Sequence, residues 1–246
     1  MSKSVYIYSD EGVGDFSLNA VKNYFSSEVI TLINAETITK NGIPVDVDLF
    51  VMPGGADRPY AKKLNGTGNK AIKKYVEQGG TYLGICAGGY YGCSEIEFQK
   101  GTSGEICEPR ELGFFQGLGI GCLSELTNPY DQTLNSASVT TILGAKDSIK
   151  VLYWGGCFFK PHENSQFKIL YQYEEVKDHP PAIISCEYGK GLAILSGVHF
   201  EASHKSLKSH DFDHSNDNSL KDQFIQKLES SNSINFDELL KQALTK

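Results

Sequence analysis

Short apolar runs alternate with amphipathic segments through the first part of the chain. Ser4–Tyr8, Val29–Ile33, Leu49–Met52 and 82–85 are largely apolar and are bounded by Gly, Pro, Asn, Asp or Ser, as short buried strands are. Between them, Leu18, Val21 and Phe25 within 16–25 recur at helical spacing. Ile72, Tyr75 and Val76 do the same within 69–78, where Gly79-Gly80 supplies the stop. Strands that alternate with helices predict an α/β domain with a mainly parallel sheet and helices on both faces.

The pattern changes further on. Residues 94–147 are rich in Gly, Ser, Thr and Asn, and read as loops and small hairpins over the sheet edge. Strands are predicted at 149–154, 167–173, 182–186 and Gly191–Ser196, the last two joined by a hairpin turn at Glu187-Tyr188-Gly189-Lys190. The polar, His- and Asp-rich stretch 203–218 reads as an exposed loop. Beyond it, Leu220, Phe224, Ile225 and Leu228 share one helix face, and Phe236, Leu239, Leu240 and Ala243 another. Both helices, within 219–246, are expected to pack on one domain spanning 1–246.

Composition narrows the possibilities. The chain has 246 residues, 40% hydrophobic and 22% charged, which suits an ordinary globular protein. It contains nothing close to the roughly 18 unbroken apolar residues of a membrane helix. The apolar run 5–8 is too short for a signal peptide, so a cytoplasmic location is expected, with the six cysteines free. No Cys-x-x-Cys pair suggests zinc or thioredoxin chemistry. A net charge of −7 argues against a nucleic-acid partner.

The chemistry concentrates at Gly84-Ile85-Cys86-Ala87-Gly88. A predicted strand ends in Gly-x-Cys-x-Gly and small residues follow, the layout of a nucleophile elbow, where side chains two residues either side of the apex would crowd the turn. A thiol at a helix N-terminus is favoured as thiolate by the helix dipole. A cysteine nucleophile needs a base and a group to orient it. His199 follows directly on a predicted strand, and Glu201 lies two residues on, where an extended chain points it to the same side. An oxyanion hole needs converging N–H donors. Ala87 is one candidate, and Gly54 or Gly55 of Pro53-Gly54-Gly55, at the end of another predicted strand, is the second.

Other candidates carry less. Cys157 lacks the glycine two residues on and reads as core, as does Cys93, placed in the same helix as Cys86. His162 sits in a polar loop, a weaker base candidate than His199. Gly12-Val13-Gly14 starts like a dinucleotide fingerprint, but Ser17 holds the third glycine position, so no nicotinamide or flavin site is read there. His210, Asp211, Asp213, His214 and Asp217 are metal-ligand types at a spacing that does not suit a tight site.

In this order, Pro53-Gly54-Gly55, Gly84-Ile85-Cys86-Ala87-Gly88 and His199-Phe200-Glu201 resemble the class I glutamine amidotransferase superfamily. The strings 50–60 and 82–92, with 65–69 and 109–115, resemble the N-terminal domain of eukaryotic biotin–protein ligases. The resemblance implies a flavodoxin-like three-layer fold with Cys86, His199 and Glu201 as a triad. It also points to Asp10 or Glu11, on the first loop, as groups near the nucleophile, and Arg58, Tyr90 and Tyr91 fall in its strings as possible pocket residues. Phe200 stands where many amidotransferases have Pro. The length, and the lack of a Gly-Arg-Gly-Arg-type adenylate loop, argue against biotin transfer.

The expected activity is cysteine-dependent hydrolysis or transfer of an amide, with no metal or cofactor. The substrate would be a small-molecule or peptide amide, and a protein partner could accept released ammonia. The alternative is a binding or regulatory module that keeps the fold without turnover.

Overall fold

The computed structural model describes residues 2–127, 130–212 and 218–245. In chain order come β1 (Ser4–Tyr8), α1 (Asp15–Tyr24), β2 (Val29–Ile33), α2 (Ala35–Asn41), β3 (Leu49–Met52), α3 (Asp57–Leu64), α4 (Thr67–Glu77), β4 (Thr81–Ile85) and α5 (Ala87–Tyr91). They are followed by β5 (Cys93–Phe98), β6 (Ile106–Pro109), β7 (Phe115–Gly121), β8 (Ala137–Leu143), β9 (Ser148–Trp154), β10 (Phe158–Pro161), β11 (Lys168–Tyr173), β12 (Pro181–Tyr188) and β13 (Gly191–Ser196). The helices α6 (His204–Ser209), α7 (Asn218–Glu229) and α8 (Phe236–Leu244) close the order.

A nine-stranded sheet runs β2-β1-β3-β4-β13-β12-β11-β8-β9. The expectation of a mainly parallel sheet is corrected here: the sheet is mixed. The pairs β2–β1, β1–β3, β3–β4 and β4–β13 are parallel. From β13 onward, the pairs with β12, β11, β8 and β9 are antiparallel. The cause is local. The β12–β13 turn at Gly189, with φ +60°, reverses the chain within two residues of the Tyr188–Gly191 pair, and only antiparallel strands can be joined so tightly.

Burial explains why the parallel half read so clearly. Along β3, Leu49 and Val51 enter one core, with Val21 of α1, Phe25 just past its end and Leu239 of α8. Phe50 and Met52 enter the other, with Ile38 of α2, Leu64 of α3 and Ile72 of α4. Successive side chains point to opposite faces, and both faces are covered, so the strand is apolar throughout.

The region 94–147 departs from expectation. It forms β5 to β8, and β10, β7, β5 and β6 make a second, four-stranded sheet. Its strand β7 alternates buried with partly or fully exposed residues and carries glycines at close approaches: a Cβ on Gly117 would lie 2.4 Å from the Lys160 carbonyl oxygen. The composition of a loop was therefore the composition of a tightly packed small sheet. Cys93 opens β5 rather than extending α5, and it is fully buried.

The stretch 203–218 is not simply a loop. Ser203 caps α6 in a reciprocal capping box with Ser206, and Leu207 is fully buried. Residues 213–217, with Asp213, His214 and Asp217 of the considered metal cluster, lie outside the described residues. Helices α7 and α8 pack on the domain, Phe224 and Ile225 against Phe16 and Leu152, and Phe236 against Phe25. Among the described residues, no helix is long and apolar enough to cross a membrane.

Candidate active site

Three turns converge at the carboxyl ends of β3, β4 and β13, the edge where ligands bind in open α/β sheets. At the end of β4, Cys86 has φ +51° and ψ −106°, a conformation that L-residues rarely adopt. The neighbours enforce it. A Cβ on Gly84 would lie 2.2 Å from the Gly88 carbonyl oxygen, and one on Gly88 would lie 2.0 Å from that of Met52. The Cys86 N–H donates to Ser196 O (2.8 Å) and its carbonyl accepts from Tyr90 N–H (2.9 Å), so the apex is pinned between β13 and the first turn of α5.

At the end of β13, the His199 N–H donates to Leu152 O of β9 (2.8 Å), which fixes the backbone from the antiparallel half. His199 Nδ1 donates to Glu201 Oε1 at 2.8 Å. Their pairing was expected from an extended segment. The structure instead makes it in a turn, where Ala202 N–H returns to His199 O at 3.2 Å. Phe200, between them, is buried edge-on to Tyr24.

At the end of β3, a Cβ on Gly54 would meet His199 Cε1 at 2.6 Å, Ser17 Oγ at 3.1 Å and Cys86 Cβ at 3.3 Å. One bare α-carbon thus marks the point where thiol, imidazole and hydroxyl come together. Gly54 N–H donates to Ser17 Oγ (2.9 Å), and Ser17 Oγ donates to Glu201 Oε1 (3.1 Å). The Cys86 S–H donates to Trp154 O at 3.5 Å.

Cys86, His199 and Glu201 are all buried, at 5%, 3% and 2% exposure. Burial by itself disfavours the imidazolium, but the Glu201 carboxylate, and after it the Cys86 sulfur, outweigh that and lift His199 to about 10. The charged ring is thus favoured in the state in which the Glu201 carboxylate and the Cys86 sulfur carry negative charge. The other oxygen of Glu201, Oε2, is buried with no hydrogen-bond partner among the described residues.

The site opens onto a cleft of roughly 960 Å³ between two aromatic walls. Phe16, Trp154 and Phe212 pack edge-on or tilted on one side. Tyr90, Phe98 and Tyr130 stack edge-to-face on the other.

Most of the residues singled out from the sequence fall here, with corrections. Gly54 cannot serve as an oxyanion donor, because its N–H is taken by Ser17. Gly55, at φ +144°, and Ala87, the first residue of α5, both line the cleft, and neither N–H has an acceptor among the described residues. Arg58 lines the cleft but binds Glu108 through Nε (3.0 Å) and its terminal nitrogen. Tyr90 also lines it, its hydroxyl donating to Gly156 O at 2.8 Å.

Asp10, Glu11 and Tyr91 lie elsewhere. Asp10 accepts from Ala35 N–H (3.0 Å) at the start of α2 and pairs with Lys63 (3.2 Å), as does Glu11 at 3.7 Å. Tyr91 is fully buried and donates to Asn69 (2.8 Å), because successive residues of a helix are rotated by about 100° and Tyr91 is turned away from the cleft that Tyr90 lines. Of the rivals, Cys157 is fully buried and burial pushes its thiol up, while His162 is exposed beside Glu95 at 3.6 Å. Ser17 is the residue the sequence reading missed. Its one signal was its place as the residue that spoils the Gly-x-Gly fingerprint.

The family model for "Biotin-protein ligase, N terminal" matches residues 3–246. An uncharacterized protein of Chlamydia muridarum is 33% identical over 212 residues, covering 80% of this chain and 80% of that protein. The biotin–protein ligase of Schizosaccharomyces pombe is 32% identical over 215 residues. That is 81% of this chain but 33% of the ligase, so the chain spans a third of that enzyme's length. Among solved structures, a glutamine amidotransferase of Thermotoga maritima superposes with a TM-score of 0.50 over 99% of this chain and 91% of that one. At 15% identity this is a likeness of fold alone. The resemblance read from the motifs is borne out at the level of family and fold.

Proposed function

The chain belongs to the family of biotin–protein ligase N-terminal domains, and on that premise we propose that it is a cysteine-dependent amide hydrolase or amidotransferase. The observation that supports this reading best is the convergence on Gly54, where the Cys86 Cβ and the His199 ring approach one small point beside a cleft. Its chemistry needs no cofactor.

In the reaction, Cys86 sulfur attacks as thiolate beside a protonated His199, forming a C–S bond to the amide carbon. The carbonyl oxygen takes the negative charge and accepts N–H bonds from Gly55 and Ala87. His199 gives its proton to the amide nitrogen, the C–N bond breaks, and ammonia or an amine leaves a thioester. Neutral His199 then removes a proton from water, whose oxygen adds to the thioester carbon. Collapse expels the thiolate and releases the acid, while Glu201 holds the ring through Nδ1 in each step.

The second reading, a binding module without turnover, is favoured by one observation: the Cys86 sulfur is nearly buried and already donates to Trp154 O. Incubation with glutamine and a panel of peptide amides, followed by intact mass, separates the two. The hydrolase reading expects a thioester at Cys86 or released ammonia in wild type and neither in Cys86→Ala. Equal ammonia release by the two proteins, or neither adduct nor ammonia release above the Cys86→Ala background with any amide, leaves the binding module.

A further inference from the structure

We propose that Ser17 is a positioning residue that locks the oxyanion turn to the His199–Glu201 pair through its hydroxyl; this rests on the amide-hydrolase reading of the same site. The direction of the chain of bonds is dictated by chemistry. The Gly54 peptide N–H can only donate, and an ionised Glu201 carboxylate can only accept. The Ser17 hydroxyl, with one proton and two lone pairs, therefore accepts from Gly54 at 2.9 Å and donates a hydrogen bond to Glu201 Oε1 at 3.1 Å. The same oxygen accepts from His199 Nδ1 at 2.8 Å. The ring is thereby oriented with Nδ1 protonated and Nε2 left for the nucleophile.

Two consequences follow from that arrangement. First, the described hydrogen bonds of the Glu201 carboxylate all pass through Oε1, Oε2 being buried without a partner. Without Ser17, His199 is the carboxylate's sole remaining anchor among the described residues, and the carboxylate gains a rotation that carries the ring with it. Second, Gly54 precedes Gly55, the proposed oxyanion donor, so Ser17 sets the height of that donor relative to the ring.

The loop that presents Ser17 is itself stitched to the turn. Gly14 N–H donates to Gly54 O (2.9 Å) and Ala56 N–H to Gly12 O (2.7 Å), on either side of a Val13–Gly55 bridge. A Cβ on Gly55 would strike Gly12 O at 2.0 Å, so the approach admits only glycine. Ser17, in the first turn of α1 and 3% exposed, stands at the end of this bracket with its hydroxyl between the two halves of the machinery. The Gly-x-Gly-x-x-Ser pattern at 12–17 thus serves a hydroxyl relay rather than a pyrophosphate.

The test uses the full chain and p-nitrophenyl acetate as the acylating probe, with acetylation of Cys86 read by intact mass and Cys86→Ala as background. Ser17→Ala is expected to lower the saturating acylation rate about tenfold to hundredfold. The half-saturating ester concentration should stay within about twofold, since ground-state binding is untouched. Ser17→Thr, which keeps the hydroxyl, should retain the rate within about threefold.

A second readout is independent of turnover. In protein labelled with ¹⁵N-histidine, the His199 Nδ1 proton should exchange with water about tenfold faster in Ser17→Ala than in wild type. A folded Ser17→Ala that acylates at the wild-type rate, or leaves that exchange unchanged, overturns the relay. If Ser17→Ala does not fold, Ser17→Cys takes its place with the same expectations. If wild-type Cys86 takes no acetyl group, the hydrolase reading fails on its own, and the exchange measurement alone decides the role of Ser17.

Discussion

The two halves of the nine-stranded sheet are built from different physics and do different work. In the parallel half, β3 is buried at every position, and β4 and β13 at all but their first. In the antiparallel half, β12 is buried from Ala182 to Cys186, but β8, β9 and β11 mix buried with partly or fully exposed positions. Strands covered on both faces end abruptly at turns, and the candidate nucleophile, base and oxyanion donor sit on three such ends. The antiparallel half contributes backbone instead: Leu152 O fixes His199, and Trp154 O accepts from Cys86. One half carries the candidate reactive groups, and the other supplies carbonyls that bind them.

The largest effect that would break this contrast is at Gly54. Gly54→Ala puts a methyl against the His199 ring, and the expected loss of Cys86 acylation is about 10³-fold, measured by intact mass with p-nitrophenyl acetate. A variant that folds and acylates normally would show that the point of convergence is not the reacting point.

The complementary test lies in the antiparallel half. Ile142 of β8 is fully buried, and Ile142→Ala should cost about 2–5 kcal/mol. That lowers Tm by roughly 2–4 °C per kcal/mol for a chain of this size, with the acylation rate per folded molecule unchanged. A matching fall in that rate would mean the halves are coupled more tightly than a backbone scaffold requires.

A smaller effect is expected from pH. His199 is held up at about 10 against an ordinary 6.5, so the charged ring contributes stability that is full below about pH 6.5 and is lost as pH rises through about 10. The Tm difference between wild type and His199→Gln should therefore shrink steadily over that range. A difference that is flat with pH would show that the ring is neutral in the fold. Smallest of all, Tyr91→Phe removes one buried hydrogen bond to Asn69, for about 1 kcal/mol, and should leave Cys86 chemistry untouched. A loss of acylation there would return Tyr91 to the pocket.

Much of the site was legible because its requirements are local. Gly84 and Gly88 are needed by the Cys86 turn itself, and Glu201 reaches His199 from two residues away. Ser17, Asp10 and Tyr91 were not legible in the same way. Whether the Ser17 hydroxyl meets Gly54 and Glu201 depends on contacts across 37 and 184 residues of chain. Asp10 follows β1 as expected, yet Ala35 and Lys63 draw it away from the cleft. The region 94–147 was misread because close-packed glycines in a small sheet have the composition of a loop.

Period and turn chemistry in the chain alone determined which segments become strands in the parallel half, where the strained turn at Cys86 lies and which family the motifs resemble. Only the tertiary structure decided that β11, β8 and β9 extend the sheet antiparallel beyond the β12–β13 hairpin, that Gly54 donates inward to Ser17, and that a serine from the first helix binds the acid at the far end of the chain. Steric limits on a turn act between neighbours and so are written in neighbouring residues. Strand partners and hydrogen-bond acceptors are chosen among groups distant in sequence, and only the packed chain brings them within reach.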